Sequence, residues 1–345
     1  MDQRSRETYE IIRRNRVRIT AVVATYNEER HVGTCLQGLL GQEGAVGDIE
    51  ILVIDGMSTD RTCDIVRSFP EFGSRIQLLP NPHRLQVYAW NIAIREARGE
   101  YFAMILAHAN YGRRYFASCL DVMKRTGAVA VGGVQHPVGS GLIGNAIAWC
   151  MSTRFGIGDA RFRYTTKEEE ADSVFSIFTR RKTLEAAGGY DERLPFDEDF
   201  DMNYRLRARG GKLIVSPGIE VRYHVRDSLR GLWMQMFRYG YWRRLTQLKH
   251  PGKVPWRVFA PAALVAGLTL SAAFALTPGL RGLAVAIPAV YSAFLLSAML
   301  AAVPQSGLAA AAVPATLVTM HAAYGLGWWK AFFTRRHRMR VLPAV

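Results

Sequence analysis

Apolar positions follow two regimes along the chain. In the first two-thirds they form short runs of strand length: residues 17–24 (VRITAVVA), 49–54 (IEILVI), 76–79 and 101–106. These runs are rich in β-branched residues and bounded by polar turns, which predicts buried strands. Helical spacing fills the gaps up to residue 40, from Ser58 or Thr59 to about residue 69, and over 85–98, where Gly99 supplies a stop. Strand and helix in alternation predict βαβ units and a mainly parallel sheet, with ligands beyond the carboxyl ends of the strands. Residues 25–29 (TYNEE), 55–60 and 107–110 fall at such ends. A further strand is expected over 127–134. The glycine-rich stretch 139–158 lacks a clear period and predicts a loop over the site. A helix from Arg180-Arg181 to Gly188-Gly189 and a strand at 213–215 complete this part.

The second regime begins near residue 228. Residues 228–248 interleave Trp233, Phe237, Tyr241 and Trp242 with arginines, a pattern suited to a membrane interface. Residues 258–276, 282–303 and 307–329 are apolar, of spanning length and rich in Ala and Gly. Both the basic entry (Lys249, Lys253, Arg257) and the basic tail (Lys330, Arg335, Arg336, Arg338) ask to be cytosolic, yet three spans would separate them. Two spans plus one interfacial or re-entrant stretch, the third, resolve the conflict. The expected organisation is therefore a basic segment 1–16, an α/β domain 17–227, an interfacial segment 228–257, a transmembrane region 258–330 and a basic tail 331–345.

Charge sharpens this picture. The chain has 345 residues, 44 Lys and Arg against 29 Asp and Glu, and a net charge of +15. That balance implies a polyanionic partner. From 258 to 329 the only ionisable side chains besides Tyr are Arg281 and His321, which favours membrane over nucleic acid. Cys35, Cys63, Cys119 and Cys150 are widely spaced and form no C-x-x-C pair, as expected of buried thiols in a reducing compartment. The first residues lack an apolar h-region, so no signal peptide is expected and the α/β part should stay cytoplasmic, held at the inner membrane.

The chemistry concentrates in residues 195–211 (PFDEDFDMNYRLRARGG). Asp197, Glu198, Asp199 and Asp201 are crowded there, and mutual repulsion should raise the proton affinity of at least one. Two readings stand: a general base, or an acidic helix N-terminus matched to the helix dipole. Acidic residues after the first two strands suit a nucleotide, since carboxylates accept from base N–H groups and ribose hydroxyls. Asp55 and Asp60 also fit a turn and a helix cap. No G-x-G-x-x-G follows the first strand and no P-loop occurs anywhere. The run 167–172 (KEEEAD) reads as a solvated face, and His224 as structural.

Taken in order, VVATYNEE, VIDGMSTD, NIAIREARGEY, FTRR…AAGGYDE, FDEDFDMNYRLRARGG and QMFRYG resemble family 2 inverting glycosyltransferases. The likeness is strongest to membrane-attached bacterial members of the exopolysaccharide (succinoglycan) type. It runs from about residue 19 to 240. The resemblance implies a GT-A fold, a Rossmann-like sheet with helices on both faces, followed by transmembrane helices. It implies nucleotide-sugar contacts at Thr25, Tyr26, Glu28, Asp55 and Arg84, and catalytic roles in the Glu198-Asp199 pair, with Asp199 as base. Gln235, Arg238 and Tyr239 resemble a Q-x-x-R-W signature that faces the diphosphate and the acceptor. The implied substrates are a UDP- or other nucleoside-diphosphate sugar and a lipid-linked or glycan acceptor.

One departure stands out. Family members carry D-x-D or D-A-H at the end of the fourth strand, where this chain has Leu106-Ala107-His108. Three readings remain open for this position. A divalent cation, Mg²⁺ or Mn²⁺, is held by His108 and diphosphate oxygens; basic residues such as Arg238 stand in for it; or activity is impaired and the protein serves as a membrane scaffold in a polysaccharide assembly complex.

Overall fold

The computed structural model describes residues 19–44, 47–158, 160–250 and 256–338. The expected basic segment 1–16, Lys253 and the tail beyond 338 lie outside the described residues.

In chain order the elements begin with β1 (Ile19–Thr25), α1 (Val32–Leu40), β2 (Ile49–Asp55), α2 (Thr62–Arg67), β3 (Ile76–Pro80), α3 (Gln86–Glu96) and β4 (Tyr101–Leu106). Next come β5 (Ala109–Tyr111), α4 (Tyr115–Thr126), β6 (Ala130–Val138), α5 (Gly141–Met151), β7 (Glu169–Glu170), β8 (Phe178–Arg180), α6 (Arg181–Ala186), α7 (Glu198–Ala208) and β9 (Leu213–His224). The last helices are α8 (Leu229–Lys249), α9 (Ala260–Leu276), α10 (Ala286–Ser306) and α11 (Val313–Arg338).

The strands form one mixed sheet in the order β3-β2-β1-β4-β8-β6-β9-β5, with β7 added on β9. The first four strands are parallel, as the βαβ pattern requires. The later ones join antiparallel: β8 pairs with both β4 and β6. By register, Thr25 lies opposite Asp55, Asp55 opposite Pro80, and Ala24 opposite Leu106. The carboxyl ends of β1, β2, β3 and β4 therefore finish in one row.

The chain divides into two compact units, residues 1–135 with 165–222, and residues 136–164 with 223–345. In the first, Val22, Leu52, Ile54, Trp90, Phe102, Leu184, Met202 and Leu206 are buried in one core. Their burial, at about 25 cal/mol per Å² of apolar surface, is the main stabilising term. In the second, the stretch expected to be a loop is mostly the helix α5. It is apolar nearly all round, so it shows no amphipathic period. Ile147, Trp149 and Cys150 pack with Leu317, Met320 and Ala323 of α11.

Within the second unit, one helical stretch, Arg281–Thr334, is long and apolar enough to cross a membrane. It contains α10 and most of α11, and thus merges the second and third expected stretches; α9, the first, is apolar but shorter. Leu276, Val290, Leu300 and Leu308 are all more than half exposed, an apolar surface that lipid rather than water would cover.

Helix α8 lies directly against α11, and glycine makes the approach possible. A Cβ on Gly240 would sit 1.9 Å from the Tyr324 carbonyl oxygen, and one on Gly327 would sit 2.1 Å from that of Phe237. Replacing Gly240 by Leu should therefore force the helices apart, at about 3 kcal/mol or more by analogy with overpacked cores. Gly38 on α1 has nothing within 4 Å of its Cβ position, so Gly38→Ala should stabilise by about 0.5–1 kcal/mol through helix propensity. Thermal unfolding of both variants in neutral detergent checks the pair: opposite shifts are expected, and equal shifts would refute the packing described.

Candidate functional site

The row of strand ends is fastened by hydrogen bonds between the loops that follow. Thr25 Oγ1 donates to Asp55 Oδ1 at 3.1 Å, while Ser58 donates to the same carboxylate through its N–H at 2.8 Å and its hydroxyl at 2.6 Å. Asn27 N–H donates to Ser58 Oγ, and Asn27 Oδ1 accepts from Thr59 N–H, each at 2.8 Å. Glu28 N–H donates to Thr62 Oγ1, Glu29 N–H donates to Asp60 Oδ2, and Arg61 N–H donates back to Glu29 Oε2. The expected nucleotide-contacting segments thus form one clasp across β1 and β2. Asp55 is buried, and Tyr26 is about half exposed.

The backbone is bent here. Among the described residues, the non-glycine residues with positive φ are Asn27, Met57, Arg84, Ser176 and Asp197. The first three follow β1, β2 and β3 in turn. Gly56 lets the loops close, since a Cβ there would sit 3.2 Å from Thr25 O and 3.4 Å from the Arg84 backbone. Left-handed non-glycine residues cost about 1–3 kcal/mol each and gather where function constrains the chain. Asn27, Met57, Ser58 and Ser176 were not singled out from sequence beyond a possible cap; asparagine's tolerance of left-handed backbone was the available hint for Asn27.

The acidic cluster opens α7. Glu198 is buried, and Trp90 Nε1 donates to its Oε1 at 3.3 Å. Burial first, then the Asp199 charge, push the Glu198 carboxyl up to about 8. The raised proton affinity expected of the cluster is thus found on Glu198. Asp199 is half-buried and lines a narrow recess with Met104, Val174, Ser176, Ile177, Tyr190 and Asn203. Asn203 Nδ2 anchors α7 by donating to Ser173 Oγ and Val174 O. The Tyr190 hydroxyl and Asn203 Oδ1 are buried with no partner among the described residues. Tyr111 links this recess to the strand ends: its hydroxyl is 3.3 Å from Ser176 Oγ and accepts from Leu106 N–H at 2.8 Å.

His108 follows β4, and its Nδ1 lies 3.2 Å from Glu28 Oε1. Adjacent donors on an octahedral ion with bonds of about 2.1 Å are about 3.0 Å apart, so the pair could supply two cis ligands. No group of three His, Cys, Asp or Glu side chains able to hold a metal occurs among the described residues. His108 and Glu28 therefore fit as part of a site that ligand oxygens would complete.

Gln235, Arg238 and Tyr239 belong to the second unit, on α8. Gln235 Nε2 donates to Tyr239 Oη at 3.0 Å, and Arg238 Nε donates to Met234 O at 3.3 Å. Arg84 is exposed in the turn after β3. A separate cavity of ≈ 250 Å³ sits at the amino-terminal ends of β1 and β2. Its buried carboxylate, Glu50, accepts from Thr20, Arg98 and Gly99, a fastening of the sheet rather than chemistry.

Residues 20–186 match the family model for glycosyl transferase family 2. The succinoglycan biosynthesis protein ExoA of Rhizobium meliloti is 28% identical over 325 residues, covering 92% of this chain and 96% of ExoA. A dolichyl N-acetyl-glucosaminyl phosphate glucuronosyltransferase of Methanococcus voltae is 26% identical, covering 64% of this chain and 71% of that protein. The fold matches a mannosyltransferase of Pyrobaculum calidifontis, solved with GDP-mannose and Mn²⁺, with a TM-score of 0.58 at 21% identity; the match covers 93% of this chain and 88% of that one.

A carboxyl whose folded pKa lies above its unfolded value stabilises the fold while protonated, and that contribution is lost as pH rises toward the folded pKa. Between about pH 5 and pH 8, wild type should lose stability relative to Glu198→Gln, which cannot ionise. Melting temperatures at a series of pH values check this; curves that run parallel would contradict the raised affinity.

Proposed function

The chain belongs to glycosyl transferase family 2, and on that premise we propose that it transfers a sugar, with inversion, from a nucleoside-diphosphate sugar to a lipid-linked acceptor in polysaccharide synthesis. The observation that supports this reading is the Thr25–Asp55–Ser58 clasp at the carboxyl ends of β1 and β2, in the same unit as the recess that Asp199 lines.

In this reading the nucleotide lies over the strand ends. Asp55 and Thr25 hold the nucleoside, Glu28 and Tyr26 flank it, and Arg84 approaches from the turn after β3. Asp199 takes the proton of the acceptor hydroxyl as that oxygen forms its bond to C1 and the C1–O bond to the diphosphate breaks. Attack from the face opposite the leaving group inverts the anomeric carbon. Glu198 is buried, accepts from Trp90 and has its proton affinity raised by burial and the neighbouring charge, which sets it apart from the half-buried Asp199. The diphosphate departs with added negative charge. A divalent cation held by His108 and Glu28 would neutralise that charge when bound. Gln235 and Tyr239 serve the acceptor. The exposed apolar face of the second unit and its basic residues attach the enzyme to the membrane, with the sugar-transferring unit on the cytoplasmic side.

Leu106, in place of an acidic ligand, favours a second reading: an impaired family member that acts as a membrane scaffold. Titration with UDP, with and without Mn²⁺, separates the two. The enzyme reading predicts binding in at least one condition, and absence of binding in both supports the scaffold. Asp199→Asn should lower turnover of the cognate sugar nucleotide by about 10² or more, the scale of a lost general base, with nucleotide affinity unchanged. A panel of radiolabelled sugar nucleotides and lipid extract, assayed with and without chelator, supplies the readout. Full turnover by the Asn variant would remove Asp199 from the mechanism.

A further inference from the structure

The net charge is not shared between the two units. The second unit holds seventeen Lys and Arg and only two acidic residues, Asp159 and Asp227, while the first holds twenty-seven of each sign. All fifteen excess positive charges therefore belong to the unit that carries the apolar helices. Among them, Arg163 is held in a defined place. Its Nη1 donates to the Tyr223 hydroxyl at 2.7 Å. Its guanidinium carbon lies 5.2 Å from the Phe162 ring centre and 5.7 Å from that of Tyr223. Tyr223, at the end of β9, is buried, so the anchor is itself fixed.

A planar guanidinium pinned by one donor and backed by two rings still offers its remaining donors as a preorganised fork. That geometry matches phosphate oxygens and loses little entropy on binding. The remaining N–H donors of Arg163 find no acceptor among the described residues. The surroundings favour an anion as well. Arg154 lies over the Tyr164 ring, 5.3 Å from its centre, and Arg161 is exposed two residues from Arg163. Tyr239 is close enough that its charge would weigh on the Tyr223 phenol. It brings along Gln235, which donates to its hydroxyl.

We propose that Arg163 and Tyr223, with the Phe162 ring behind the guanidinium, form an anion site that holds a phosphate group of the lipid-borne acceptor. The proposal rests on the reading that the acceptor is lipid-linked. It assigns Arg163 the task of holding the acceptor's phosphate. No covalent step falls to this site.

The test uses the full chain in micelles of an uncharged detergent. Farnesyl phosphate serves as the probe, farnesol as its phosphate-free counterpart and UDP as the reporter of the nucleotide half. Wild type should bind farnesyl phosphate more tightly than farnesol. Arg163→Gln should weaken farnesyl phosphate binding at least tenfold, as expected for a lost charge-assisted pair, with farnesol and UDP affinities unchanged. Arg163→Lys should fall in between, and Tyr223→Phe, which keeps the ring but frees the guanidinium, should weaken binding several-fold. Retained farnesyl phosphate affinity in Arg163→Gln would overturn the proposal. So would equal displacement of the probe by phosphatidylglycerol, which would make this a headgroup site, or a matching loss of UDP affinity, which would assign Arg163 to the donor. Failure of wild type to bind UDP tells against the transferase reading instead, so the two failures are distinguishable.

Discussion

The fold's capacity to hold a ligand rests on one constraint: four parallel strands must end in the same row. Thr25 opposite Asp55, Asp55 opposite Pro80 and Ala24 opposite Leu106 set that row. Parallel strands leave their terminal carbonyl and amide groups facing one side, and the loops that follow must turn sharply to enter their helices. The strain appears as left-handed backbone at Asn27, Met57 and Arg84. It is offset by cross-loop hydrogen bonds around the Asp55 carboxylate and the Asn27 amide. A rim assembled this way is rigid before any ligand arrives, which lowers the ordering cost of binding.

The two units divide the physical work. One is electrically balanced and holds its carboxylates in defined environments, buried and raised in proton affinity at Glu198, half-buried at Asp199. The other collects the whole positive excess together with the exposed apolar surface. Such a pairing of cationic and apolar surface suits a bilayer with anionic headgroups, and it also suits an acceptor with a lipid tail and a phosphate. Gly240 and Gly327 bind α8 to α11, so the helix that bears Gln235, Arg238 and Tyr239 is built directly onto the apolar stretch.

Much of the fold was legible from local pattern. The strands at 49–54 and 101–106, the helix after TYNEE and the acidic start of α7 follow from periodicity and caps. Features that depend on distant partners were not. Helix α5 looked structureless because its apolar residues face neighbours on several sides. The strand read at 213–215 runs on to His224 through Pro217-Gly218, a pair that reads as a turn, because Ile219, Val221 and Tyr223 are all buried. The crowding of carboxylates was visible, but which one gains the proton depends on how deeply each is buried, and Glu198 is the buried member of the pair. The pinning of Arg163 by Tyr223 spans 60 residues and leaves no local trace.

The central claim is that the clasp around Asp55 is a nucleotide site. Titration of UDP into wild type and into Asp55→Asn, with thermal unfolding run in parallel, tests it most directly. The Asn side chain keeps the shape but loses the charge and one acceptor, so nucleotide affinity should fall about tenfold or more, in line with a lost charge-assisted hydrogen bond, while the protein still unfolds cooperatively. Wild-type affinity in a folded Asp55→Asn protein would contradict the account.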